Sequence, residues 1–427
     1  IEDVLGEEGF WRAIRHYTNE NKMKNVETTD LKKAIEEITG QNLDWFFKQW
    51  VYEPGFPEYN VSWSYNQRTK TLKLHVRQTQ DLKKSNLFKM PVRVLIDNGE
   101  VTEHTVWVED QETVFDLPCT FRPKMVIFNS GMRIPSKLKM GKSVTDLKYQ
   151  LQNASNVLDR IWAAHELSKK KGRKVVEYIL LEAAKTDPFW GVRKEAAIAF
   201  GKLKPKIQFE DYIWINEEHD SRVKRALLTV LKNYKGNAGV SNFLQSVIRA
   251  DTNYYVIADA FKTLVSVDSS SAKMYVDGLL NTESHNDTVR KSALVYFSTV
   301  KTDQNYSRLQ ELASYGGLSW EARPSAIKEL GAYVKTKPKT VDLFIDFLGD
   351  KDRFARREAI NQLGKHGNKS HFAALDGVKE SDPVLTVNVL RAKKAIEMQK
   401  TKKQTKKEKD VIELRRMVDD IQKILDQ

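Results

Sequence analysis

The side chains best suited to chemistry in this chain are its eight histidines, His16, His75, His104, His165, His219, His285, His366 and His371, and its single cysteine, Cys119. A helix presents two imidazoles to one metal ion when they sit at i and i+4. No two of these histidines are four apart. The nearest arrangement is His165-Glu166-Leu167-Ser168-Lys169, where an ammonium stands in the place of a second imidazole. An ammonium has no lone pair to give and repels a cation, so no zinc is expected there. A lone cysteine cannot close an internal disulfide, and no Cys/His spacing matches a zinc finger. The chain is therefore expected to carry no catalytic or metal-ligating set of its own.

Three kinds of periodicity set the elements. Residues 1–56 read as short amphipathic helices, with apolar sets Phe10, Ala13, Ile14, Tyr17, then Leu31, Ala34, Ile35, Ile38, then Leu43, Phe46, Phe47, Trp50. Polar residues from Asn25 to Asp30 lead into the second helix, Gly40 is placed to end it, and Pro54, Gly55 and Pro57 stop helix formation. Over residues 57–142 the period falls to two, as in Val61, Trp63, Tyr65; Leu72, Leu74, Val76; and Val92, Val94, Ile96. Asp97-Asn98-Gly99 suits a hairpin, and Thr113 to Leu117 and Met125 to Phe128 add short strands. This region is expected to be a small antiparallel β-sandwich.

Over residues 143–398 the helical period returns and repeats. Anchors at Arg160, Arg193, Lys224, Ile257, Arg290, Arg323, Arg356 and Arg391 are separated by 33, 31, 33, 33, 33, 33 and 35 residues. Three residues on come Ala163, Ala196, Leu227, Ala260, Ala293, Ala326, Ala359 and Lys394. Seven on come Leu167, Phe200, Leu231, Leu264, Phe297, Leu330, Leu363 and Met398, all apolar. A small residue at +3 admits a neighbouring helix and a large one at +7 fills the space beyond. The array is expected to be a HEAT-like α-superhelix of stacked pairs; the ankyrin signature T-P-L-H is absent. The remaining residues, 399–427, hold a lysine-rich connector and an a/d pattern at Val411, Leu414, Val418, Ile421 and Leu425, expected to be a last helix packing back on the array.

The opening segment resembles the end of the thermolysin-like catalytic domain in the zinc aminopeptidase family of aminopeptidase N and leukotriene-A4 hydrolase. The residues that carry this are Leu5-Gly6 followed by Phe10, the entry at Asn25 and Thr28 to Leu31, the run from Leu43 to Phe47, Gln49-Trp50, and Gly55-Phe56-Pro57 before the first strand. The order of helical end, β-sandwich and HEAT-like array is also that of the family's larger members. The resemblance implies a parent enzyme that removes N-terminal residues from peptides with a zinc held by H-E-x-x-H and a downstream Glu. That motif would lie upstream of Ile1, and the upstream catalytic domain would be this chain's partner. The array would close over the substrate cavity and offer basic side chains to the peptide's carboxylate. Arg193, Arg290, Arg323 and Arg356 are candidates for that role by periodicity, and for an inter-repeat ladder on the same ground.

The chain opens on Ile1 with no signal-peptide pattern, which fits a portion of a longer polypeptide. Two other readings compete. The first is a non-catalytic interaction scaffold whose parent kept the fold and lost the zinc, as in a transcription-factor subunit related to this family. The second is a nucleic-acid binder, prompted by the net charge of +13. Residues 391–409 hold nine Lys or Arg and two Glu, +7 of that total, with no aromatic between Lys393 and Lys409. No nucleic-acid site is expected from it. No run approaches the length of apolar sequence that would span a bilayer.

Overall fold

The computed structural model describes residues 1–205 and 214–399, so the lysine-rich connector from Lys400 and the heptad pattern lie outside the described residues. The chain divides into two compact units, Ile1–Pro205 and Lys206–Gln427.

The first unit opens with α1 (Glu2–Glu20), which is interrupted at Gly6, where φ is +74°. α2 (Thr28–Thr39) starts where the Asp30 carboxylate accepts from the Glu27 N–H at 2.8 Å. It ends at Gly40, whose φ of +68° is open to glycine at little cost. α3 (Asp44–Phe47) runs into a wider turn over Lys48–Tyr52. Phe46 and Phe47 are buried, and Trp50 stacks 5.1 Å from Phe88. The aromatic run is thus covered by the chain itself. Asp3 ties the start of α1 down, accepting from Arg93 at 2.8 Å and from Arg133 at 2.7 Å.

Seven strands follow: β1 (Glu58–Asn66), β2 (Thr71–Gln78), β3 (Met90–Asp97), β4 (Val101–Val108), β5 (Glu112–Pro118), β6 (Met125–Phe128) and β7 (Lys137–Met140). They form sheets of order β5-β2-β1-β7 and β4-β3-β6. Every pairing is antiparallel except β1 with β7, which run parallel. The chain reaches β7 through the loop after β6 rather than a hairpin, so nothing forces it to reverse direction. β1 and β2 alternate buried and exposed residues, and Tyr59 meets Phe128 at 5.2 Å. Met125 to Phe128 are all buried. Two helical pairs complete this unit, α4 (Val144–Asn153) with α5 (Val157–Leu167), and α6 (Lys174–Thr186) with α7 (Trp190–Lys202).

The second unit is helical wherever it is described. α8 (Ser221–Val230) is followed by α9 (Ala238–Ala250) and α10 (Tyr254–Val267), two short segments α11 (Ser269–Ala272) and α12 (Val276–Leu280), and α13 (Thr288–Thr299). Then come α14 (Asp303–Ala313), α15 (Arg323–Leu330), α16 (Thr340–Asp346), α17 (Arg353–His366), α18 (Phe372–Ser381) and α19 over residues 386–399. Among the described residues, every anchor but Lys224, on α8, falls on the second helix of a pair. The +3 and +7 residues from Ala163 and Leu167 to Ala359 and Leu363 are buried. The final unit departs from the expected register, because Lys394 and Met398 are exposed while Val389, Ala392 and Ile396 are buried. Its true anchor is Val389, which restores a spacing of 33 from Arg356. A positively charged side chain drew the alignment two residues too far, whereas burial follows the apolar stripe.

Candidate functional site

His165 and Glu166 lie on α5, and the Glu166 carboxylate accepts from Lys169 at 2.5 Å with the His165 ring 3.6 Å away. The side chain of Leu167 beneath them is buried in the +7 position. This is a surface ion cluster on a packed helix. Among the described residues no group of three or more His, Cys, Asp or Glu could hold a metal ion.

The four arginines are engaged within the array. Arg193 donates to the Asp187 carbonyl at 3.0 Å, and Arg290 to the Leu280 carbonyl at 2.7 Å and Asp287 at 2.5 Å. Arg323, 2% exposed, donates to the Ala313 carbonyl at 2.8 Å and grips both oxygens of Asp350. Arg356 donates to the Asp350 carbonyl and to the Asp382 carboxylate, both at 2.6 Å. Arg160 and Lys224 do likewise, pairing with Asp187 at 2.9 Å and Asp251 at 2.6 Å. An anchor thus reaches an Asp 26 or 27 residues ahead, in the loop before the next pair's second helix. That Asp does two jobs: the Asp187 carboxylate also accepts from the Phe189 N–H at 2.9 Å, and Asp350 from the Asp352 N–H at 2.8 Å. The sequence shows the cations at their period; their acidic partners go unnoticed because they sit in loops whose lengths vary.

Arg323 also borders an open depression of about 400 Å³ lined by Tyr315, Leu318, Trp320, Lys351 and Asp352. Its guanidinium lies 5.4 Å from the Tyr315 ring, and the Lys351 ammonium 5.6 Å from the same ring. Tyr315 and Trp320 are largely exposed. The Asp352 Oδ2 atom is buried with no hydrogen-bond partner. Of the cations here, Lys351 is the one whose charge faces solvent.

The first helices carry a second open face. A depression of about 770 Å³ is lined by Ile1, Tyr17, Val26, Leu31, Val51 and Tyr52 among others. Trp11 is 47% exposed and Tyr52 64%, and Val26 and Val51 are about half exposed. Apolar groups of this size cluster on a surface where another body packs.

Residues 1–50 match the family model described as the peptidase family M1 domain, and residues 54–158 the one described as the TAF2 Ig-like domain. Aminopeptidase N of Haemophilus influenzae is 26% identical over 205 residues, 44% of this chain and 23% of that protein. Leucyl aminopeptidase of Saccharolobus solfataricus is 28% identical over 118 residues, 27% of this chain and 14% of that protein. Transcription initiation factor TFIID subunit 2 of Danio rerio is 25% identical over 111 residues, 26% of this chain and 9% of that protein. In fold, aminopeptidase A of Legionella pneumophila, solved with aspartic acid, superposes with a TM-score of 0.63 at 15% identity, covering 92% of this chain and 55% of that one. The chain thus spans less than a quarter of the length of these relatives and about half of the solved structure.

Proposed function

We propose, for a chain that corresponds to the C-terminal portion of a peptidase family M1 protein, that it is the accessory part of a zinc aminopeptidase. In this reading the β-sandwich supports the catalytic domain and the helical array closes and shapes the cavity in which a peptide loses its N-terminal residue. The observation that carries it is the M1 match over residues 1–50 together with a likeness in fold, over 92% of the chain, to a solved aminopeptidase. The open depression bordered by Val26, Val51 and Tyr52 supports it further, as a surface for an upstream catalytic domain. The zinc, its ligands and the catalytic Glu belong to that upstream domain.

Within the array, the contacts of Arg323 and Arg356 favour the inter-repeat ladder, while the bonds described for Arg193 and Arg290 brace the turn before their own helix. A guanidinium that holds a buried carboxylate in two bonds, as Arg323 does, has little left for substrate. If a basic group of the array meets a peptide carboxylate, Lys351 beside Tyr315 is better placed than the four anchors. The alternative is a non-catalytic scaffold, and the matches to the TAF2 Ig-like domain and to TFIID subunit 2 support it. Expressing the polypeptide with its upstream segment separates the two. The enzyme reading expects one zinc per chain by metal analysis and chelator-sensitive release of an aminoacyl reporter. A longer polypeptide with neither would leave the scaffold standing.

A further inference from the structure

A cavity of about 420 Å³ opens between the sandwich and its first helical pair, and neither the proposed peptidase role nor the scaffold gives it a ligand. Its walls are mostly apolar, with Ile127 and Phe128 from β6, Leu138 and Met140 from β7, and Trp162 from α5, and Asn129, Gln150 and Asp159 add polar groups. Against these stands one ammonium, that of Lys142, a side chain only 8% exposed. It donates to the Val126 carbonyl at 2.5 Å and to the Gln150 side-chain oxygen, both neutral. Its third direction has only the Trp162 ring, 5.3 Å away. No carboxylate pairs with it among the described residues. Burial accordingly pushes its pKa down to about 8, with Asp146 and Asp159 opposing at longer range.

The nearest buried anion, Asp159, is already committed. One oxygen accepts from the Ser130 hydroxyl at 2.8 Å and the other from the Gly131 N–H at 3.0 Å. These bonds hold the loop at the cavity mouth, where Asn129, Gly131 and Met132 all take positive φ values of +57°, +72° and +49°. Asn129 braces the same loop by exchanging two hydrogen bonds with the Ile134 backbone, at 2.8 and 3.1 Å. Asn adopts the left-handed conformation readily, but at Met132 it costs energy, and such strain gathers at ligand sites. A buried cation without a partner is itself costly, and an anion that reached it would remove part of that cost.

We propose that this cavity binds a small apolar carboxylate, with its acid group on Lys142 and its hydrocarbon body against Trp162, Phe128 and Met140. An amine of the same shape is disfavoured, because it would bring a second cation to the ammonium while the Asp159 carboxylate in the same wall is already held by Ser130 and Gly131. The inference does not rest on the peptidase reading, since every group in it belongs to this chain.

Octanoate is the probe, titrated calorimetrically into the full chain, with octylamine as the control of equal length. Saturable one-to-one binding of octanoate with no heat from octylamine is expected. Lys142→Gln should weaken it by about tenfold or more, the weight of one charge-assisted hydrogen bond. Met132→Trp, at the exposed rim, should weaken it by blocking entry while leaving the melting temperature unchanged, and so tests the site even if Lys142→Gln fails to fold. Absence of saturation, equal binding of octylamine, or undiminished binding by the Met132 variant would overturn the proposal.

Discussion

Arg323 and Asp350 are the pair on which the ladder can be judged, because both side chains are almost fully withdrawn from water. Removing one partner strands the other charge in a poorly solvated place. Arg323→Leu should therefore destabilise the chain by about 3–5 kcal/mol in a denaturant titration. Arg222→Ala, which removes a pair whose arginine is half exposed, should cost far less. Equal losses in the two variants would mean that the ladder is decoration. The acidic side can be read by pH. Hydrogen bonds from Arg356 and then Arg353 hold the Asp382 carboxyl below its ordinary value of 3.8. Its stabilisation is therefore complete above about that value and is lost as the pH falls through the lower folded one. The melting temperatures of wild type and Asp382→Asn should differ at pH 6 and converge towards pH 3. A gap that stays constant would exclude ionisation as its source.

Helix contacts depend on the small residues at +3, so enlarging one should jam the pair it joins. Ala293→Leu, at a fully buried site on α13, should cost roughly 1–3 kcal/mol, read as a lowered thermal midpoint. The last repeat offers a sharper version: Ala392→Leu should be destabilising and Lys394→Leu nearly neutral, since the first is buried and the second exposed. The reverse outcome would restore the anchor at Arg391. Much of the fold was legible because helices and strands bury one face and so repeat their apolar residues at 3.6 or 2. Seven of eight repeat positions were placed that way. β4 and β7 were not, for different reasons. β4 runs Thr, Glu, His and Thr together and then Val, Trp and Val together, so its apolar residues do not alternate, and β7 is four residues long with Lys at two of them. Lys142 was equally silent in sequence, since its burial comes from the turn between β7 and α4 and no neighbour along the chain announces it.

At the scale of the molecule, the exposed aromatic face of the first helices decides how the isolated chain behaves. With Trp11, Val51 and Tyr52 facing water, self-association is expected in sedimentation velocity at micromolar concentration. The double variant Trp11→Glu, Tyr52→Glu should run as a monomer, and so should a polypeptide that includes the upstream segment. A wild-type chain that stays monomeric at all concentrations would remove the support this face lends to an upstream partner. The ladder has a consequence for length. Because four of the anchors, Arg160, Lys224, Arg323 and Arg356, each reach an Asp 26 or 27 residues ahead, the array behaves there like a rack cut with teeth of one pitch. Loss of residues 323–355 would remove one whole tooth of 33 and bring Arg356 to the place Arg323 held. Loss of half as many would leave cations facing the wrong loops. Such a scaffold can grow or shrink in descent only by whole steps, and the reach of the surface it presents changes in the same increments.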